Sequence, residues 1–220
     1  MPAVLFGSIS TVADISELQR EAFNEAFARH GLDWDWSPEQ YRSMLGASGG
    51  QNRIARYAES RAQSVDAAAV HQTKSEIFQQ SITGVRLQSR TGVLETIRTA
   101  KQAGTKVAFV TTTSADNVTA LLAALSPALS ADDFDLIVDS SSVPTSKPDA
   151  ASYRHALAVL HERAEDCVAI EDNVDGVRSA TAAGLRCVAF PNTNTSTQHF
   201  PGAHSRVTEL DPVGLNALVA

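Results

Sequence analysis

The sequence is poor in the features that mark several large protein classes. It has two cysteines, Cys167 and Cys187, which are not in C-x-x-C spacing and give no zinc signature. Each opens a predicted buried strand (CVAI, CVAF), where cysteine packs as a small hydrophobe, and a reduced, cytoplasmic setting is expected. No apolar run is long enough to span a bilayer, and the N-terminus lacks a basic region followed by an apolar stretch, so neither a membrane span nor a signal peptide is expected. Positive charge is also in deficit: 18 Lys and Arg stand against 25 Asp and Glu, a net charge of −7. That argues against nucleic acid or an anionic membrane as partner, but leaves room for a local basic pocket. Internal repeats and low-complexity stretches are absent. One further shortage is chemical. The stretch Gly7-Ser8-Ile9-Ser10-Thr11, read as the turn leaving the first strand, holds no acid, base or nucleophile stronger than serine.

What is present is a chain of 220 residues with 43% hydrophobic and 20% charged residues, ordinary for a soluble globular protein with a substantial core. Short apolar runs predict strands at 3–6, 106–111, 134–139, 167–172 and 186–190, with helices at 91–103, 114–126, 149–163 and 174–183 separating the last four. This alternation implies βαβ units and a Rossmann-like parallel sheet. Ala103-Gly104 and Ala183-Gly184 read as helix stops. Residues 14–86 differ: they carry helical periodicity over Glu17–His30, 38–46, 50–61 and 64–82, and no convincing strand. They are read as a four-helix cap inserted after strand one, with residues 1–13 and 87–220 forming the α/β core. Asn192–Gln198 reads as a polar loop and the last ten residues as a short helix.

Four segments suggest chemistry. Glu171-Asp172-Asn173-Val174-Asp175-Gly176 follows a strand, and carboxylates at the C-terminal end of a parallel strand face the crevice where a hard cation binds through oxygen; helix capping by Asp172 or Asn173 is the plainer reading. Lys147 precedes Pro148 and can neutralise a phosphate or hold carboxylates apart, although a lysine before an N1 proline is commonly a surface residue. Thr111-Thr112-Thr113-Ser114 ends a strand, where hydroxyls can bind a phosphate or cap the next helix; Ser114 reads as that cap. In the cap, Gly49-Gly50-Gln51-Asn52-Arg53 joins glycines that permit close backbone approach to an arginine able to clasp a phosphate, with His71 and Lys74 further on. The plainer reading there is an amphipathic helix with solvated polar residues.

Taken together these segments resemble the haloacid dehalogenase-like superfamily, and within it the CbbY-type sugar-phosphate phosphatases and the β-phosphoglucomutases. The resemblance implies that Asp172, with Glu171 beside it, belongs to a Mg²⁺ site. It implies that Thr111, Thr112 and Lys147 bind the transferring phosphate, and that Gly49, Gly50, Arg53 and Lys74 meet the substrate from the cap. Gln51 stands where those caps usually carry lysine, and Ala150 replaces a proline.

The same resemblance gives the opening segment its meaning. The family pattern h-h-F-D-x-D-G-T-L places its nucleophilic aspartate on Gly7 and its general acid/base aspartate on Ile9. Its glycine falls on Ser10, Thr11 is kept, and Asp14 matches a later non-catalytic acid. Glycine and isoleucine can neither attack phosphorus nor move a proton. Mg²⁺ affinity is expected to fall as well. Two readings follow. In one the chain is impaired or inactive as an aspartyl-phosphate phosphatase and binds a phosphorylated small molecule or a protein partner. In the other it is a Mg²⁺-dependent sugar-phosphate hydrolase that uses altered chemistry.

Overall fold

The structure is a computed structural model that describes residues 2–46 and 49–218. In chain order the elements are β1 (Ala3–Phe6), α1 (Ile9–Val12), α2 (Ser16–Arg29), α3 (Pro38–Ser43), α4 (Gly50–Ser60), α5 (Ala67–Ile82), α6 (Val93–Gln102), β2 (Lys106–Val110), α7 (Ala115–Leu125), β3 (Leu136–Val138), α8 (Ala151–Leu160), β4 (Val168–Glu171), α9 (Val174–Ala182), β5 (Arg186–Ala189), β6 (Ser205–Arg206) and α10 (Pro212–Asn216).

The six strands form one parallel sheet in the order β3-β2-β1-β4-β5-β6. Central β1 pairs Phe6 with Phe109 of β2 on one side and with Ile170 of β4 on the other. All four of its residues are buried, because helices cover both faces of a parallel sheet. The two-residue period then sorts the side chains. Val4, Phe6, Val107, Phe109, Val168 and Ile170 join one hydrophobic cluster, shared with the helical insertion, α6 and α7. Ala3, Leu5, Ala108, Ala169, Cys187 and Ala189 face α8 and α9 in a second cluster, where small side chains let helices approach closely. Cys167 and Cys187 are buried free thiols.

Both helix stops lie where expected. Gly104 and Gly184 hold the left-handed conformation, at φ 72° and 86°, just past α6 and α9. Helices α2–α5 fill the segment between α1 and α6. Their centre is aromatic: Phe27 meets Trp36 edge-on at 4.6 Å, and Phe23 lies 5.0 Å from Trp36. Among the described residues no helix is long and apolar enough to cross a membrane.

The structure corrects the expectations at two places. The segment after β1 is not a simple turn. Ser8 caps a short helix, its Oγ accepting from Ser10 N at 3.1 Å, while Thr11 Oγ1 donates to Ser8 O at 2.6 Å. A sixth strand, Ser205–Arg206, was not expected; two polar residues leave no periodic signal. Met1, placed in the first strand, and Val219–Ala220, placed in the terminal helix, lie outside the described residues.

Candidate functional site

In the order 3-2-1-4-5-6 the direction of winding reverses between β1 and β4, and open α/β sheets place their ligands in the crevice beyond the C-terminal strand ends at such a point. Gly7 follows β1, Thr111 follows β2, and Glu171 and Asp172 lie at the end of β4. The sheet thereby brings distant parts of the chain together at one edge. Ser8 and Asp172, which share a hydrogen bond there, are 164 positions apart in sequence.

Lys147 is buried and spends its three N–H donors inside the protein. They go to Gly7 O, to Val110 O at 2.8 Å and to Glu171 Oε1 at 2.6 Å. Glu171 is fully buried, and its Oε1 also accepts from Tyr153 OH at 2.7 Å. Burial lifts the Glu171 carboxyl above the ordinary carboxylate range, against the pull of Lys147. The lysine therefore pairs with Glu171 and not with Asp172. Gly7 gives this carboxylate its room: a Cβ built on Gly7 would overlap both Glu171 and the Tyr153 hydroxyl, and one on Gly176 would overlap Glu171 as well.

Asp172 has a separate set of partners. Its Oδ1 accepts from Ser8 Oγ at 2.7 Å and Asn173 Nδ2 at 2.8 Å, and its Oδ2 accepts from Asn192 Nδ2 at 2.6 Å. Two of these donors are fixed in orientation by their own neighbours. Asn192 Oδ1 accepts from Asn194 N and Thr195 N, so its amide nitrogen faces Asp172. Ser8 Oγ accepts from Ser10 N, so its proton goes to the carboxylate. Asn173, rather than Asp172, caps α9, accepting from Gly176 N at 2.8 Å. Ile9 carries no titratable group and packs against the main hydrophobic cluster. Among the described residues no group of three His, Cys, Asp or Glu is placed to hold a metal ion.

Thr111 is buried, and its Oγ1 accepts from Thr113 N at 3.2 Å. Thr112 is partly buried beside it. Ser114 caps α7 through Asn117 N, as expected. Asp14 accepts from Ser16 and Thr193. Burial raises its pKa, but these hydrogen bonds outweigh it and the net shift is downward.

The insertion contributes a different kind of wall. Gly49 precedes α4 with φ 91°, and Gly50 opens the helix against the His71 ring. Arg53 and Lys74 are both buried. The Arg53 guanidinium lies 5.5 Å from the Tyr41 ring centre and 5.9 Å from that of Phe23. Lys74 Nζ donates to Gln19 Oε1 and lies 4.9 Å from the Phe23 ring centre and 5.3 Å from that of Phe78. Burial, with Arg53 nearby, pulls the Lys74 ammonium down to about 7. Burial, then Lys74 and Arg53, pulls His71 down to about 4, so its ring is neutral at pH 7. Burial pushes the Tyr41 hydroxyl above its ordinary range, with Arg53 pulling against it and Glu17 and Asp172 adding to it.

Sequence reasoning missed Asn192, Thr195 and Gln19. The first two lie in the segment read as a polar loop. Thr195 Oγ1 donates to Asp172 O at 2.6 Å and accepts from Asn192 N at 3.0 Å. The Asn-x-x-Thr spacing of a side-chain-closed turn was the available signal that this loop is ordered. A cavity of about 420 Å³ between α7 and β3, lined by Val118, Leu122 and Ile137 among others, contains none of the site residues.

A parallel sheet with this strand order, a helical insertion after its first strand and acids at the end of its fourth define a class. The haloacid dehalogenase-like hydrolase family matches residues 10–190, and the chain belongs to that family. The matched span begins beyond Gly7 and Ile9. Within the family the chain is CbbY-like. It is 40% identical over 206 residues to Protein CbbY of Cereibacter sphaeroides, covering 91% of this chain and 89% of that protein. It is 36% identical over 221 residues to Protein CbbY of Rhodobacter capsulatus, covering 99% and 97%. The crystal structure of CbbY from Rhodobacter sphaeroides in complex with phosphate superposes with a TM-score of 0.89 at 37% identity, covering 100% of this chain and 99% of that one. A mutant of the same protein has been solved with xylulose-1,5-bisphosphate, and superposes with the same score of 0.89.

Proposed function

We propose that this chain binds a phosphorylated sugar in the crevice between the helical insertion and the sheet, and that it is impaired or inactive as an aspartyl-phosphate phosphatase. Residues 14–86 act as the cap in this reading, and residues 1–13 with 87–220 as the core. The carrying observation is at Gly7: the position that should present the attacking carboxylate has no side chain, and its space is filled by Glu171. Glu171 cannot take over the attack, because its Oε1 is held by Lys147 and Tyr153 and its side chain is fully buried. Loss of a nucleophile that acts as part of a unit costs on the order of 10⁶ in rate in hydrolases. Isoleucine at position 9 removes the proton transfer as well.

Members of this family generally use Mg²⁺, but the residues present here do not fit that ion well. Asp172 is the carboxylate at the crevice, both its oxygens already accept from protein donors, and Glu171 is turned into the core. Magnesium requires near-octahedral oxygen coordination and gives up its water reluctantly. Arg53 and Lys74 support the binding half of the reading, and the xylulose bisphosphate complex of the R. sphaeroides relative supports a sugar phosphate as the class of ligand.

The test is a phosphate-release assay on purified protein with a panel of sugar phosphates and Mg²⁺, run beside calorimetric binding. Binding without release is the expected outcome. Metal-dependent release that disappears in Asp172→Asn would instead establish the second reading, a hydrolase using altered chemistry. The observation in its favour is the Ser8 hydroxyl resting 2.7 Å from the Asp172 carboxylate.

A further inference from the structure

We propose that this chain pairs with a second copy of itself through the outer face of α7, about a two-fold axis. The cavity beside β3 of each copy then lies against the joint that leads out of the helical insertion of the other. This face is not part of the crevice, and the pairing does not depend on which ligand the crevice holds.

Two cavities lie side by side along α7. The one of about 420 Å³ lies between α7 and the edge strand β3, where Val118, Leu122 and Ile137 give it an apolar lining. The other, of about 280 Å³, lies between α7 and residues 82–86, which join α5 to α6. Both are lined by Ala123 and Ser126, which are exposed, so the two cavities form one continuous face. Val85 stands at the second cavity with 46% of its surface exposed, one of three exposed large apolar side chains among the described residues. Apolar hollows with an apolar side chain standing beside them mark a protein contact.

The charges on this face say what covers it. Arg86 lines the second cavity, is exposed, and forms no salt bridge among the described residues. Asp139 lines the first. Its Oδ1 accepts from Ser141 N at 2.8 Å and from Ser141 Oγ at 2.6 Å, and no described cation pairs with it. Asp116 and Asp132, exposed next in sequence to lining residues of that cavity, add to its negative sign. One end of the face is therefore basic and the other acidic, with Ala123 and Ser126 between them. Such a face is complementary to itself. A two-fold axis through Ala123 sets Arg86 of each copy toward Asp139 of the other, so the pair forms twice, and turns Val85 toward the opposite apolar cavity. A partner of one sign would be attracted at one end and repelled at the other.

The experiment is sedimentation equilibrium of the full chain from about 1 to about 500 µM, a range that brackets weak, transient pairs. The mass should rise from that of one chain, 23.4 kDa, toward that of two. Arg86→Asp and Asp139→Arg should each weaken pairing about tenfold or more, because each turns two attractive pairs into two repulsive ones. The chain carrying both substitutions should regain pairing. The two single variants should pair with each other when mixed, since one then has acids at both ends and the other cations. Ala123→Lys, which brings two ammonium groups together at the axis, should abolish pairing. These positions are on the surface, and circular dichroism checks that each variant is folded. A chain that stays single at every concentration would overturn the proposal and leave the face to a different protein. A dimer indifferent to these variants, or one weakened by the single substitutions and not restored by the double, would overturn it as well. Should a charge variant fail to fold, Ala123→Lys carries the same test.

Discussion

Two buried lysines divide the crevice, and they are handled in opposite ways. Lys147, at the sheet end, has a carboxylate at 2.6 Å and two carbonyls, so its charge is balanced by the fold itself. Lys74, in the insertion, has an amide oxygen and two aromatic faces, and its ammonium is depressed to about 7. Equal burial thus means different things. The first lysine is part of the buried polar network beside Gly7; the second is a charge kept at a cost that a bound anion would offset.

The same substitution at the two positions breaks this comparison most sharply. Lys147→Met strands the fully buried Glu171, and should destabilise by about 3–5 kcal/mol, a fall in Tm of roughly 10 °C in a chain of this size. Lys74→Met removes a buried charge without a carboxylate partner, and should leave the chain at least as stable at pH 7, any change lying in the stabilising direction. Thermal unfolding of the two variants side by side checks both signs.

Next in size is Gly7→Ala. Its methyl group would overlap Glu171 and Tyr153, so one or both must move, at a cost of about 1–3 kcal/mol measured by denaturant unfolding. Ser8→Ala comes after it. It removes the cap of α1 and one donor to Asp172, and should lose about 1–2 kcal/mol in the same measurement.

A pH dependence also belongs to one end of the crevice. Lys74 has a folded pKa of about 7 against 10.5 unfolded, so between those values the unfolded chain holds the extra proton. Stability attributable to this group should therefore rise with pH across that window, with a slope of at most about 1.4 kcal/mol per unit. The groups facing it are Arg53, which is cationic, and His71, which is neutral there. Unfolding at pH 6.5 and pH 8.5 should show the rise in the unmodified chain and lose it in Lys74→Met. Sugar-phosphate affinity should fall over the same interval as the amine loses its proton.

Much of this arrangement was legible in the sequence. The apolar runs at 3–6 and 167–172 became strands because both faces of a parallel sheet are buried, and Gly104 and Gly184 stopped helices because the left-handed conformation there suits glycine. That Gly7 and Ile9 carry no carboxylate could be read directly from the sequence. The consequence could not. That Glu171 fills the space at Gly7 depends on the pairing of β1 with β4, which lie far apart in the chain, and no local pattern encodes it.

Asn192 was hidden for a similar reason. Its polarity suggested a solvated loop, whereas its amide is buried against Asp172 by a turn that closes on Thr195. The basic cluster of the insertion lay between these cases: His71 and Lys74 were visible at helical spacing, but the shared Phe23 platform and the Gln19 contact come from a neighbouring helix.

The most direct measurement is a crystal structure of the chain with a ketopentose phosphate bound. The phosphate is expected against Arg53 and Lys74, with Glu171 still on Lys147 and Tyr153. A phosphate seated on Lys147 and Thr111, with Glu171 displaced from the space at Gly7, would contradict the division of the crevice between its two lysines.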